Sequence, residues 1–69
     1  MSELEDFKAQ LDAKPVAEVR ESAIFLMMMA NMLDREDATY MVDEMVAGDM
    51  STVELSLEAR ATIERIARG

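Results

Sequence analysis

The side chains of this chain that could do chemistry are carboxylates, hydroxyls, amines and one phenol, because the sequence contains neither cysteine nor histidine. Histidine is the commonest general base and metal ligand, and without it a nucleophilic serine would need a Ser-x-x-Lys pair, which does not occur. A calcium loop starting at Asp34 fails because its sixth position is Thr39 and not glycine. Gly48 and Gly69 alone cannot form a glycine-rich phosphate loop. We therefore predict a protein that is not an enzyme and holds no metal or cofactor.

Length and composition restrict the class of protein to which this chain can belong. The chain has 69 residues, of which 51% are hydrophobic, and a net charge of −8. This hydrophobic content is too high for a disordered acidic tail, and the negative charge disfavours binding to a DNA backbone or an anionic membrane surface. A single core in so short a chain supplies only a few kcal/mol (about 3–5). We expect one folded helical domain, residues 1–69.

No segment predicts insertion into a membrane or export. The longest uncharged apolar run, Ala23 to Ala30, has eight residues, whereas a spanning helix needs about 20. The first six residues are acidic and not basic, unlike those of a signal peptide. We therefore expect a cytoplasmic protein.

Capping residues and apolar spacing predict an all-α fold, a small bundle of three to four helices at about residues 3–13, 15–33, 35–47 and 52–68. Ser2 with Glu5 forms a capping box, and Pro15 ends one helix and suits the first turn of the next. Asp34 predicts the cap of the third helix, and Gly48 its end. No glycine or proline separates the second and third helices, so one bent helix is an alternative.

The last third of the chain carries two conflicting patterns. Val53, Leu55 and Leu57 alternate with polar residues, which is typical of a strand, whereas the residues from Leu57 onward favour a helix. We predict a helix capped by Ser51 or Ser56, with extended structure before it as the alternative. Two arginines in its last turn, Arg65 and Arg68, should complement the dipole of that helix.

The predicted second helix has two apolar faces. At 100° per residue one stripe contains Val16, Val19, Ala23, Leu26, Met27, Ala30 and Leu33. Phe25, Met28, Met29 and Met32 lie on the opposite side. A helix that is apolar all round is normally buried all round, but a chain of 69 residues has little bulk to cover both faces. We therefore expect the second face to be an interface, most simply in a homodimer. The alternative is that the first and fourth helices cover this helix on both sides.

The predicted third helix combines a core stripe with an acidic outer face. Its core stripe is Ala38, Met41, Val42 and Met45. Tyr40, the only tyrosine, lies on the other side with Glu36, Asp43 and Glu44. Tyrosine is enriched among interface hot spots, and residues 34–49 carry six acids against Arg35 alone. This face would suit a basic partner surface, or would simply be solvated.

Direct nucleic-acid binding is not expected. Residues 52–60 resemble the strand and first helix of ribbon-helix-helix repressors, but the second helix of that motif is missing. The strand residues that would face DNA are Thr52, Glu54 and Ser56, and Glu54 would repel the phosphates.

In length, acidity, helicity and lack of catalytic residues, the chain resembles the short host-takeover proteins of bacteriophages, and among them the phage anti-quorum-sensing (anti-activator) proteins. That resemblance implies a protein that inhibits a LuxR-type quorum-sensing regulator, also binds the type IV pilus assembly ATPase, and works in the cytoplasm of the host cell. It assigns no role to any residue of this chain.

Two further functions fit the same sequence. The acids of the first and third helices could mimic nucleic acid, as in some anti-CRISPR inhibitors, and binding would then weaken steeply with salt. Alternatively, the chain could be a helical subunit or assembly chaperone of a larger complex, with poor stability alone.

Overall fold

The computed structural model describes residues 2–69, which form four α-helices and no β-strand. The helices are α1 (Glu3–Ala13), α2 (Val16–Asn31), α3 (Arg35–Ala47) and α4 (Leu57–Arg68). The all-α prediction is confirmed, and the predicted bounds of the first and third helices agree with α1 and α3. Within residues 2–69, no helix combines the length and the apolar character needed to cross a membrane.

Three of the four helices begin at a side-chain cap. The side chains of Ser2, Asp34 and Ser56 each accept a hydrogen bond from the backbone N–H three residues further on, at 3.1, 2.9 and 3.1 Å. Such a cap stabilises a helix by about 1 kcal/mol. α2 begins directly after Pro15 instead and has no side-chain cap. Local sequence therefore sets the starting points of the helices.

α2 and α3 are separate helices, so the alternative of one bent helix is wrong. α2 ends at Asn31, two residues before the predicted end, because Met32 adopts the left-handed conformation (φ 53°, ψ 42°). The N–H of Leu33 then donates to the carbonyl oxygen of Met28 at 3.1 Å, which closes the helix end. The turn after this bond leads to Asp34, the cap of α3.

The predicted start of the fourth helix at residue 52 is wrong, whereas its predicted cap at Ser56 is confirmed. Residues 50–56 form a turn-containing loop in which the N–H of Leu55 donates to the carbonyl oxygen of Thr52 at 3.1 Å. The apolar alternation is not that of a strand. Leu55 packs against the core, while Val53 is 73% exposed.

α4 lies at the centre of the bundle, where it contacts α1, α2 and α3. α2 packs against α3 and α4, so the alternative in which the first and fourth helices cover α2 on both sides is wrong. All four helices contribute to one core. Its buried apolar residues are Leu11, Val19, Ala23, Ile24, Met27, Ala38, Val42, Met45, Ala61, Ile63 and Ile66.

The arginines at the end of α4 hold α1 in place. Arg65, whose side chain is only 13% exposed, donates from Nε to the carbonyl oxygen of Leu11 at 3.2 Å and from a terminal nitrogen to that of Lys14 at 3.0 Å. Arg68 pairs with Asp12 at 3.1 Å. The expectation that both arginines serve the dipole of their own helix was therefore incomplete, because Arg65 also satisfies the carboxyl end of α1, whose last turn contains no basic residue.

Candidate protein-interaction surface

One side of α2 leaves large apolar side chains uncovered. Phe25, Leu26, Met29 and Met32 are 60%, 48%, 67% and 93% exposed. We call these four residues the α2 strip. Three of them belong to the predicted second face, whereas the fourth member of that face, Met28, is half-buried and packs against the core.

The buried side of α2 is rotated relative to the predicted core stripe. Val19, Ala23 and Met27 are buried as predicted, and Ile24, which the stripe did not include, is 2% exposed. The predicted core residues Val16, Leu26 and Ala30 are exposed instead. The shift is smaller than the 100° step between adjacent residues, and it follows from the packing of α2 against both α3 and α4. As a result Leu26, which was predicted in the core, lies on the exposed side of α2.

The α2 strip lies in an uncharged part of a strongly acidic protein. Residues 22–33 contain no charged side chain, although the whole chain carries −8. The charges begin at the amino-terminal end of the strip, where Arg35 pairs with Glu21 at 2.6 Å. This hydrogen bond is the main cause of the lowered pKa of the Glu21 carboxyl. These two residues, with Phe25 and Leu26, border a shallow depression of about 520 Å³. The strip is therefore apolar surface with a charged margin.

Met32, the residue that ends α2, has a left-handed backbone conformation that is unfavourable for a residue with a side chain. Left-handed φ values cost a residue with a Cβ about 1–2 kcal/mol, and glycine or asparagine usually occupies such positions. The Met32 side chain is 93% exposed, so packing within the chain does not offset that cost. The left-handed residue is instead part of the hydrogen-bonded end of α2, where the N–H of Leu33 donates to the carbonyl oxygen of Met28, a common way for a helix to end.

A groove adjoins the strip and was not anticipated from the sequence. It has a volume of about 480 Å³ and lies between α1, α2, the 50–56 loop and α4. We call it the α1–α4 groove. It is lined by Phe7, Leu26, Met27, Ala30, Asn31, Glu54, Leu55, Ser56, Glu58, Ala59 and Thr62. Because Leu26 also belongs to the α2 strip, the strip and the groove form one continuous surface. No local pattern could reveal a groove whose walls come from four segments of the chain.

The residues predicted on the outer face of α3 lie apart from this surface. Tyr40 is 63% exposed but lines neither the groove nor the depression beside the strip. Asp43 forms an ion pair with Arg20 of α2, Glu44 is half-buried, and Glu36 is exposed. The predicted interface residues therefore fall into two groups, one on α2 and one on α3. The core stripe predicted for α3 is buried at Ala38, Val42 and Met45 and half-buried at Met41.

Among residues 2–69, no three Asp or Glu side chains lie close enough together to hold a metal ion. Comparisons of the chain with protein-family models, with curated proteins and with solved structures found no match.

Proposed function

We propose that this protein is a non-enzymatic inhibitor that binds another protein and inactivates it by contact, and that two copies of it associate through the α2 strip. The observation that carries the proposal is the strip itself, four neighbouring apolar side chains that are 48–93% exposed in a chain of 69 residues. Contiguous exposed apolar surface with a polar rim is typical of protein–protein contacts. Methionine-rich surfaces adapt well to a partner because the side chain is flexible and polarisable.

Electrostatics favours a second copy of the chain on the α2 strip. Each copy carries a charge of −8, so contact through most other faces would bring like charges together. Two α2 helices can cross at residues 22–33 without placing a charge inside the contact. A twofold axis there would use the same four side chains from both subunits. The added burial would also stabilise a chain whose own core is small.

The first target that we propose is a LuxR-type quorum-sensing regulator, and the second is the type IV pilus assembly ATPase. Support for these targets comes from the likeness in length, acidity and helicity to phage anti-quorum-sensing proteins. An inhibitor of this kind would act in the cytoplasm of the host cell.

An operator-binding assay with a purified LuxR-type regulator and its autoinducer tests this proposal. Increasing amounts of the wild-type protein should release the regulator from operator DNA. About tenfold more of the double variant Phe25→Glu/Met29→Glu should be needed for the same release, since burying a charge in an apolar contact made by the α2 strip is unfavourable. Val53→Glu is the matched control, because Val53 is 73% exposed and lies outside the strip.

Two results would contradict the proposal. Operator binding that is unchanged by the wild-type protein would remove the regulator as a target. Equal inhibition by the wild type and the double variant would show that the strip has no part in inhibition.

Nucleic-acid mimicry has less support, because the acids of α3 are partly used within the protein. Asp34 caps α3, Asp43 pairs with Arg20, and Glu44 is half-buried. A pull-down from host lysate at low and high salt separates the two functions. Retention of the partner at high salt supports an apolar contact, whereas loss of nucleic-acid-binding partners at high salt supports mimicry.

A further inference from the structure

We infer that the α1–α4 groove binds a basic amphipathic helix of the partner protein, with apolar side chains in the groove and lysine or arginine beside Glu54 and Glu58. This inference rests on the proposed function. It adds the chemical character of the partner segment and the part of this chain that receives it.

The shape of the groove suits an apolar anchor. Its walls come from three helices and a loop, and they expose the apolar side chains of Phe7, Leu26, Leu55 and Ala59 to a volume of about 480 Å³. Phe7 and Leu55 are half-buried and pack against the core, so these two walls are fixed by the fold. Amphipathic helices commonly bind by laying their apolar face into such a groove.

Polar side chains at the groove already make hydrogen bonds within the protein. The amide nitrogen of Asn31 donates to the carbonyl oxygen of Met27 at 3.3 Å, and the hydroxyl of Thr62 donates to that of Glu58 at 2.9 Å. The hydroxyl of Ser56 accepts the capping bond at the start of α4. The main contacts left for a ligand are therefore apolar surface and carboxylates.

Charge at the groove selects a cationic partner. Glu54 and Glu58 are exposed, and among residues 2–69 no lysine or arginine forms an ion pair with either of them. By contrast, Asp12, Glu21 and Asp43 each pair with an arginine of the same chain. The lining of the groove includes no basic side chain. A second copy of this acidic chain would fit the groove poorly, whereas a basic segment would be attracted to it.

Titration with a synthetic helical peptide tests the inference. The probe is a fluorescently labelled amphipathic peptide with leucine on one face and lysine on the other, and the readout is fluorescence anisotropy. In 50 mM salt the double variant Glu54→Gln/Glu58→Gln should bind this peptide about tenfold more weakly than the wild type, because two charge pairs are lost. In 1 M salt the difference should nearly disappear.

Glu36→Gln/Asp49→Asn is the matched control for charge. It removes the same number of carboxylates, and Glu36 holds the same second position in α3 that Glu58 holds in α4. Neither Glu36 nor Asp49 lines the groove. This control should bind the peptide within about twofold of the wild type. Equal weakening by the two double variants would mean general attraction to an acidic protein and would overturn the inference.

Filling the groove tests its apolar part. Ala30→Phe adds bulk at an exposed groove position and should weaken peptide binding at both salt concentrations, whereas Ala47→Phe, at an exposed position of α3 outside the groove, should not. Unchanged binding by Ala30→Phe would overturn the inference. The two proposals can fail separately. If the groove variants bind the peptide as tightly as the wild type does, while the strip variant still inhibits less in the operator assay, the inference fails and the proposed function stands.

Discussion

α4 and the second half of α2 are both rich in apolar residues, but they use them differently. In α4 the apolar residues Ala61, Ile63 and Ile66 are buried, Leu57 at its first position is 60% exposed, and the rest of the exposed side carries charges such as Glu64. The second half of α2 has apolar residues on every side, and the fold covers only one of them. α4 therefore leaves one large apolar side chain exposed, whereas the second half of α2 leaves three, Phe25, Leu26 and Met29.

This difference separates stability from binding. Because α4 contacts the other three helices, its buried residues stabilise the whole bundle. The α2 strip adds nothing to the core, so its side chains are free to contact a second molecule. Substitutions should therefore divide into those that unfold the protein and those that change only its association.

The largest expected effect is that of Ile63→Ala in α4. Ile63 is 5% exposed, and removing such a buried side chain lowers the free energy of unfolding by about 2–5 kcal/mol. Phe25→Ala in the strip should change it by less than about 0.5 kcal/mol. Urea unfolding followed by circular dichroism, at low protein concentration, measures both. Similar losses for the two variants would remove the distinction between α4 and the strip.

Loss of the Arg65 side chain should have the next largest effect. Arg65→Met keeps an apolar stem but removes the two hydrogen bonds to the carbonyl oxygens of Leu11 and Lys14. We expect the free energy of unfolding to fall by about 1–3 kcal/mol. Arg68→Met is the control, because that side chain is 61% exposed and should matter by less than about 1 kcal/mol. Equal effects in the same urea titration would argue against Arg65 as the link between α1 and α4.

Met32→Gly should act in opposite directions on stability and on association. Glycine removes the left-handed strain, so the free energy of unfolding of the monomer should rise by about 0.5–1 kcal/mol. Loss of the exposed side chain should weaken self-association. Met29→Gly, within α2, should lower stability by about 1 kcal/mol instead. Urea unfolding and sedimentation equilibrium of the two variants measure both properties, and a Met32→Gly variant that is less stable would contradict the strain argument.

The smallest expected effect is a pH dependence that comes from Glu21 at the margin of the strip. The hydrogen bond from Arg35 lowers the pKa of Glu21 below its ordinary value of 4.5. The pair therefore stabilises the folded state above pH 4.5, and this contribution is lost as the pH falls through the lowered pKa. Glu21→Gln should unfold with a shallower acid dependence than the wild type in thermal melts between pH 3 and 7. Identical profiles would show that this exposed pair contributes nothing to stability.

Local signals predicted the helices well and the binding surface only partly. Ser2, Asp34 and Ser56 mark helix starts because a capping bond involves residues only three positions apart. The rotation that buries Ile24 and exposes Leu26 depends on how α2 packs on two other helices, which periodicity does not report. The α1–α4 groove depends on tertiary packing for the same reason.

The most direct test of the central claim is the rate of methionine oxidation as a function of protein concentration. Hydrogen peroxide oxidises exposed methionines, and peptide mass spectrometry reads each position separately. If the α2 strip is a contact between two copies, Met29 and Met32 should oxidise rapidly in dilute solution and several times more slowly in concentrated solution, while Met27 and Met45, each 5% exposed, should react slowly in both. Oxidation of Met29 and Met32 at the same rate at every concentration would contradict the account.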